Sequence, residues 1–255
     1  MQDVVEHIWS NYLEGTGPCE ECPNRDQNHR WRPFYGGGSK DADLAFIAIT
    51  PGGNRKVQSV EPDAAKNRPE RHIDLDNWNV DRSRKMFSRF LIPVLESVPQ
   101  YNSNVKQALN EEIYYTNGKK CADIKAPADD DTFGSKGKLA AYNNAQAYNT
   151  CHQYLKPELE FVNPKVIVTA GKRPWKALCN VFSESSSGNF GKEFALKPRK
   201  IGEYTVIPSY HWNRLGSNYK HVDMELQGEN HYIEELGRII SEQLDQHGIV
   251  GPTPE

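Results

Sequence analysis

Short, wholly apolar runs alternate along this chain with longer stretches whose apolar residues recur every three or four positions. Leu44-Ala45-Phe46-Ile47-Ala48-Ile49 is one such run, closed by Thr50-Pro51-Gly52-Gly53. Ile113–Thr116, Val166–Gly171 and Tyr204–Ile207 repeat the pattern. Runs of four to eight apolar residues bounded by turn formers predict strands covered on both faces. Helical spacing predicts a helix over residues 3–13, through Val4, Val5, Ile8, Trp9 and Leu13. The next helix carries Met86, Phe87, Phe90, Leu91, Val94 and Leu95, and a long one runs from about Leu139 to Phe161. Pro174, Trp175, Leu178 and Val181 mark a short helix, with proline in its first turn. A last helix covers about Asn230–Gln246.

Strands alternating with helices predict an α/β fold. The expected form is a three-layer sandwich with a central, mainly parallel four-stranded sheet flanked by helices. The 255 residues suffice for one domain, 1–255, with two polar excursions at about 52–81 and 122–140. Ligands of such sheets bind beyond the carboxyl ends of the strands. Those ends are "TPGG", "TNGKKC", "AGKRP" and "PSYHWNR", and the topology predicts that they converge on one pocket.

Composition adds limits. Hydrophobic residues make up 37% and charged residues 25%, as in soluble globular proteins. No stretch approaches the roughly 20 apolar residues that span a bilayer. The first residues, with Asp3 and Glu6, lack a signal-peptide core, so the expectation is a cytoplasmic protein without a membrane partner. Net charge is −3, yet residues 165–220 hold ten Lys/Arg against three Asp/Glu. That basic third could follow a phosphate backbone, or it could be an ordinary solvated surface.

Five cysteines, an odd number, argue against a disulfide framework. Cys19-Glu20-Glu21-Cys22 has the spacing with which two thiolates grip one metal, and redox, zinc and iron–sulfur readings all remain open. Cys179, on the apolar face of "KALCNVF", reads as a small buried hydrophobe.

Five segments in order carry a family resemblance: "CEEC" at 19–22, "AITPG" at 48–52, "TNGKKC" at 116–121, "CHQYLKPELEFVNPKVIVTAGKRPWKAL" at 151–178 and "IPSYHWNR" at 207–214. Together they resemble the uracil-DNA glycosylase superfamily, in particular its iron–sulfur family 4 type, over roughly residues 15–215. The resemblance implies a structural four-iron four-sulfur cluster on Cys19, Cys22, Cys121 and Cys151, with zinc as the alternative. It implies that Asn117 reads the extruded base and that Thr50, with the Pro51-Gly52 backbone, places water. Ser209, Tyr210 and Arg214 become substrate-binding candidates and His211 the group that stabilises the leaving base. Trp212 and Leu215 become candidate wedges into the base stack.

The chain departs from the family pattern where the chemistry lies. Ile49 stands where the family carries Glu, and Ile207 where it carries the His of His-Pro-Ser. Residues 52–77 contain no aromatic to stack on a base; Trp78 is the first. Two functional readings follow. One is a DNA glycosylase, monomeric, hydrolysing the N-glycosidic bond of uracil or another deaminated base in single- or double-stranded DNA. The other is a glycosylase-fold protein that binds nucleic acid or a nucleotide without cleaving it. An unrelated zinc or iron–sulfur scaffold is the third possibility.

Overall fold

The computed structural model describes residue 11 and residues 16–20, 37–48, 87–118 and 138–250. Six strands within these form one sheet: β1 (Gly37–Gly38), β2 (Leu44–Ala48), β3 (Ile113–Asn117), β4 (Val166–Ala170), β5 (Arg199–Ile201) and β6 (Tyr204–Ser209). Their order is β1-β3-β2-β4-β6-β5. The four inner strands are mutually parallel and are the four that the apolar runs predict. The expected four-stranded sheet is therefore corrected to six by two antiparallel edges, β1 on β3 and β5 on β6. Neither edge has an apolar run: β1 is two glycines, and β5 begins with two exposed cations, Arg199 and Lys200. Short, charged or side-chain-free edges are a common way to keep a sheet from pairing with other chains.

Every residue of β2, β3, β4 and β6 is buried, because helices cover both faces. The helices that matter here are α1 (Ile92–Glu96), α2 (Lys138–Val162), α3 (Lys172–Val181) and α4 (Glu229–Gln246). A π-helical turn, Phe87–Leu91, leads into α1. Tyr114, Thr116, Ile47 and Thr169 lie on the face covered by α2, where Tyr114 and Thr116 bond to Glu158. Phe46, Asn117 and Ser209 lie on the other face, where Phe90 meets Phe46 and Tyr232 of α4 meets Ser209. The α4 stripe of Ile233, Leu236, Ile240 and Leu244 buries there, each such side chain contributing about 1.5–3 kcal/mol. Gly237 lets α4 approach the end of α1, since a Cβ there would lie 2.5 Å from that of Ser97.

Glu158 is 1% exposed, yet it carries a carboxylate into the layer between α2 and the sheet. Its Oε1 accepts from Tyr114 at 2.5 Å and from Thr116 at 2.8 Å. Burial, with the carboxylate beside it, holds the Tyr114 phenol well above its usual pKa, so it stays a donor. A buried hydroxyl left without a partner costs about 1–3 kcal/mol, and Glu158 spares β3 two of them. The long helix thus grips β3 through polar bonds to its second and fourth residues. Of the helix predicted over residues 3–13 only Asn11 is described, and it is helical; the first polar excursion and most of the second lie outside the described residues, the second ending where α2 begins, at Lys138.

Candidate functional site

From β2 the chain leaves toward β3, whereas from β4 it leaves toward β6 on the other side. Adjacent parallel strands whose connections diverge open a crevice beyond their carboxyl ends. The register decides what lines it. Ala48 pairs with Asn117, Ala170 pairs with Ser209, and the Ile47–Thr169 pair sets the two alanines level. The result is a row, Asn117–Ala48–Ala170–Ser209, on one face of the sheet. Two methyl groups floor its middle, and at about 4.8 Å per strand its ends stand roughly 14 Å apart.

Asn117 ends β3 and is 7% exposed. The Gly118 N–H donates to the Ala48 carbonyl at 2.9 Å, continuing the β2–β3 ladder one bond past it. With Thr116 held by Glu158 from the opposite face, the backbone on both sides of Asn117 is fixed. A carboxamide carried there offers one acceptor and two donors from a fixed backbone.

At the other end of the row the polar groups serve the fold. Ser209 is fully buried; its hydroxyl shares a hydrogen bond with Tyr232 Oη at 3.1 Å and donates to the Tyr210 carbonyl at 3.2 Å. Ser209, expected to contact substrate, is thus placed where its hydroxyl ties β6 to α4. The same Tyr232 oxygen accepts the Tyr210 N–H at 2.8 Å. Tyr210 is half-buried, with its ring edge-on to Phe190 at 5.3 Å.

His211 follows, half-buried, its ring stacked on Trp212 at 3.7 Å. Trp212 packs against Phe90 at 6.2 Å, and Phe90 against Phe46 at 6.3 Å, one pleat below Ala48. This aromatic column seats the post-β6 loop over the face that carries Asn117. Burial first, and the Arg214 guanidinium second, lower the His211 pKa from its ordinary 6.5 to about 4. The imidazole is therefore neutral near pH 7. Arg214 is exposed, and its N–H donates to the His211 carbonyl at 2.7 Å. Of the two wedge candidates, Leu215 is fully buried in the core and Trp212 is half-buried in the column.

Ile207 sits inside β6 opposite Val168, completely buried, so its contribution is packing. Thr50, Pro51, Gly52, Ile49, Cys22 and Cys121 lie outside the described residues. Cys19 closes the 3-10 turn Gly17–Cys19, which packs against α2, and α2 carries the buried Cys151. Two of the four candidate thiolates thus belong to elements in contact. A sulfur-only donor set suits iron–sulfur clusters or zinc. Cys179 is buried on α3 with its thiol pushed up to about 12 by burial, as an inert core residue should be.

Three residues of this edge escape the apolar pattern or hide within it. Glu158 stands four residues past Tyr154 and three past Leu155, a spacing that places it on the buried face of α2. Phe90 and Tyr232 read as core, and only the tertiary packing shows that they hold the β6 loop.

The depressed His211 pKa carries a stability consequence. Between pH 6.5 and 4 the unfolded chain binds a proton at this site that the folded chain excludes, so stability present above 6.5 is lost as pH falls toward 4. Melting temperatures across this window should fall more steeply for the wild type than for His211→Asn. Equal slopes would show that His211 is not buried as a neutral ring.

No curated protein matches this chain. A family model described as the Uracil DNA glycosylase superfamily matches residues 36–236. The match begins one residue before β1 and ends inside α4, so it takes in all six strands, the Asn117 row and the loop of His211. A match over most of the chain that carries the whole sheet and its carboxyl edge assigns the family: the chain belongs to the uracil-DNA glycosylase superfamily.

Proposed function

We propose that this chain is a DNA base-excision glycosylase that hydrolyses the N-glycosidic bond of uracil or another deaminated base. Members of the superfamily are usually DNA glycosylases. The observation that carries the reading here is the nearly buried Asn117, its backbone fixed at the switch-point crevice beside a floor of two alanines. An extruded base needs such a floor to lie on and an edge reader with both donor and acceptor.

In this reading the bond from C1′ to the base nitrogen breaks as a water oxygen bonds to C1′. One water proton goes to solvent or a nearby base, and the departing base takes up a proton at its nitrogen. Negative charge builds on the base carbonyls meanwhile. His211, neutral and desolvated, acts as a hydrogen-bond donor to that charge, a form of help that is often the largest catalytic contribution. Asn117 fixes the base edge, and Thr50 with the Pro51-Gly52 backbone places the water. Arg214 meets the strand from the exposed side of the loop.

We further infer that Cys19, Cys22, Cys121 and Cys151 hold a four-iron four-sulfur cluster, with zinc as the alternative. The support is the contact between the Cys19 turn and the helix of Cys151. Bound there, the group would tie the N-terminal segment and the chain after β3 to α2; hydrolysis needs no electron from it. Anaerobically purified protein should contain about four iron and four sulfide per chain, lost in Cys151→Ala. One zinc per chain supports the alternative, and neither metal refutes both.

The buried Ile207 favours a second reading, since no donor can replace it without entering the core. A fold retained for binding alone would keep DNA affinity without base release. The test is alkali cleavage of single- and double-stranded oligonucleotides carrying uracil, hypoxanthine or xanthine. The proposal expects abasic product, with rates down about 10²–10³-fold in Asn117→Ala and His211→Ala. DNA binding without product from any substrate would establish the second reading.

A further inference from the structure

A second feature of the carboxyl edge lies just past the Ser209 end of the Asn117 row. A pocket of about 430 Å³ opens beside β6, lined by Lys172, Asn189, Lys192, Tyr210 and His221 with the backbone between Gly188 and Lys192. Lys172 is the first residue of α3, just past the end of β4. His221 ends the 3-10 turn Tyr219–His221. Four separate segments thus bring cationic or donor groups to one place, and no carboxylate is among the lining residues.

Of the acids nearest in sequence, Glu193 lies at the rim, against Gly188, and is already bonded there. Glu193 accepts the Asn189 N–H at 2.7 Å, and Asp223 holds Lys197 at 3.1 Å. Lys172 and Lys192 are exposed and make no ion pair among the described residues. The Asn189 side-chain oxygen accepts the Lys192 N–H at 3.1 Å, which leaves its NH2 group as a donor. Donors that outnumber one acid, itself already bonded to the Asn189 N–H, suit a ligand that is all acceptor and negatively charged, and a phosphate group is that ligand.

The walls are preformed. Tyr210 is pinned by its N–H to Tyr232 and by the edge of Phe190. Gly191 brings the 188–192 backbone so close that a Cβ would collide with the His221 carbonyl and the Tyr210 hydroxyl. A rigid concavity loses little entropy when it fills.

We propose that this pocket is a phosphate subsite, taking a phosphate of the strand whose base lies at the Asn117 crevice. The assignment of the strand rests on the glycosylase reading. Lys172 follows β4 and Tyr210 follows β6, so the pocket stands two to three strand spacings, roughly 10–14 Å, from Asn117. It therefore serves a neighbouring nucleotide, contributing position and affinity and no base selectivity.

The test measures anisotropy of undamaged, 3′-labelled single strands bearing either a 5′-hydroxyl or a 5′-phosphate, at several salt concentrations. Lys172→Ala/Lys192→Ala is compared with Lys165→Ala/Lys200→Ala, the same change of charge at the opposite, amino edge of the sheet. The proposal expects weaker binding only in the first variant, with the log–log salt slope reduced by about 0.7 for one phosphate given up. Loss on both strands identifies a backbone phosphate, and loss confined to the phosphorylated strand identifies a terminal one. An unchanged slope, or an equal loss in both variants, overturns the pocket. Base release measured alongside separates the two claims. Wild-type binding without release, with the loss still specific to the first variant, ends the glycosylase reading and leaves the phosphate site. Release with an unchanged slope does the reverse.

Discussion

The register of four parallel strands is the constraint on which the rest depends. Parallel pairing levels the carboxyl ends of β2, β3, β4 and β6, and burial on both faces leaves their middles no room for polar chemistry. Polar groups therefore collect where the strands stop. A slip of one residue in β3 would turn Asn117 to the α2 face and bring Thr116 or Gly118 to the crevice. Glu158 opposes that slip by bonding Tyr114 and Thr116, two donors spaced for one face of the strand.

The two ends of the row are held by different means. Asn117 is fixed through its backbone, by the ladder to Ala48 and by the polar grip on its predecessor. His211 is fixed through rings, by a column that descends through Trp212 and Phe90 to the floor of the sheet. Between them Tyr232 ties Ser209 and Tyr210 to α4, so the loop leaves the sheet in one direction. The aromatic ring absent from residues 52–77 leaves Trp212 as a half-buried aromatic on the loop beside the crevice.

Much of this was legible in the sequence. Apolar runs end within two residues of the observed strands, and the long helix expected from about Leu139 to Phe161 spans Lys138–Val162. Those elements are set by burial, which periodicity reports directly. The edges β1 and β5 carry no such signal, since glycines and exposed cations pair through backbone alone. Glu158 escaped because a carboxylate on a helix normally faces water, and only its partners on β3 explain why it does not. Ser209 and Leu215 looked available in a polar loop, but both are buried. The family was legible from five segments in order, while the roles of Thr50 and the cysteines outside the described residues remain assignments from resemblance.

The proposed phosphate pocket and base crevice would give the basic stretch from residue 165 to 220 a physical division of labour. Lys172 and Lys192 sit at the carboxyl edge, Lys165 and Lys200 at the opposite one, and Lys197 is spent on Asp223. The central claim, that an extruded base lies against Asn117, is tested most directly by a crystal structure with DNA containing 2′-fluorinated deoxyuridine, which resists cleavage. The account predicts the uracil ring over Ala48 and Ala170 with its edge hydrogen-bonded to the Asn117 carboxamide. A base still stacked in the strand, or bound where Asn117 cannot reach it, would contradict it.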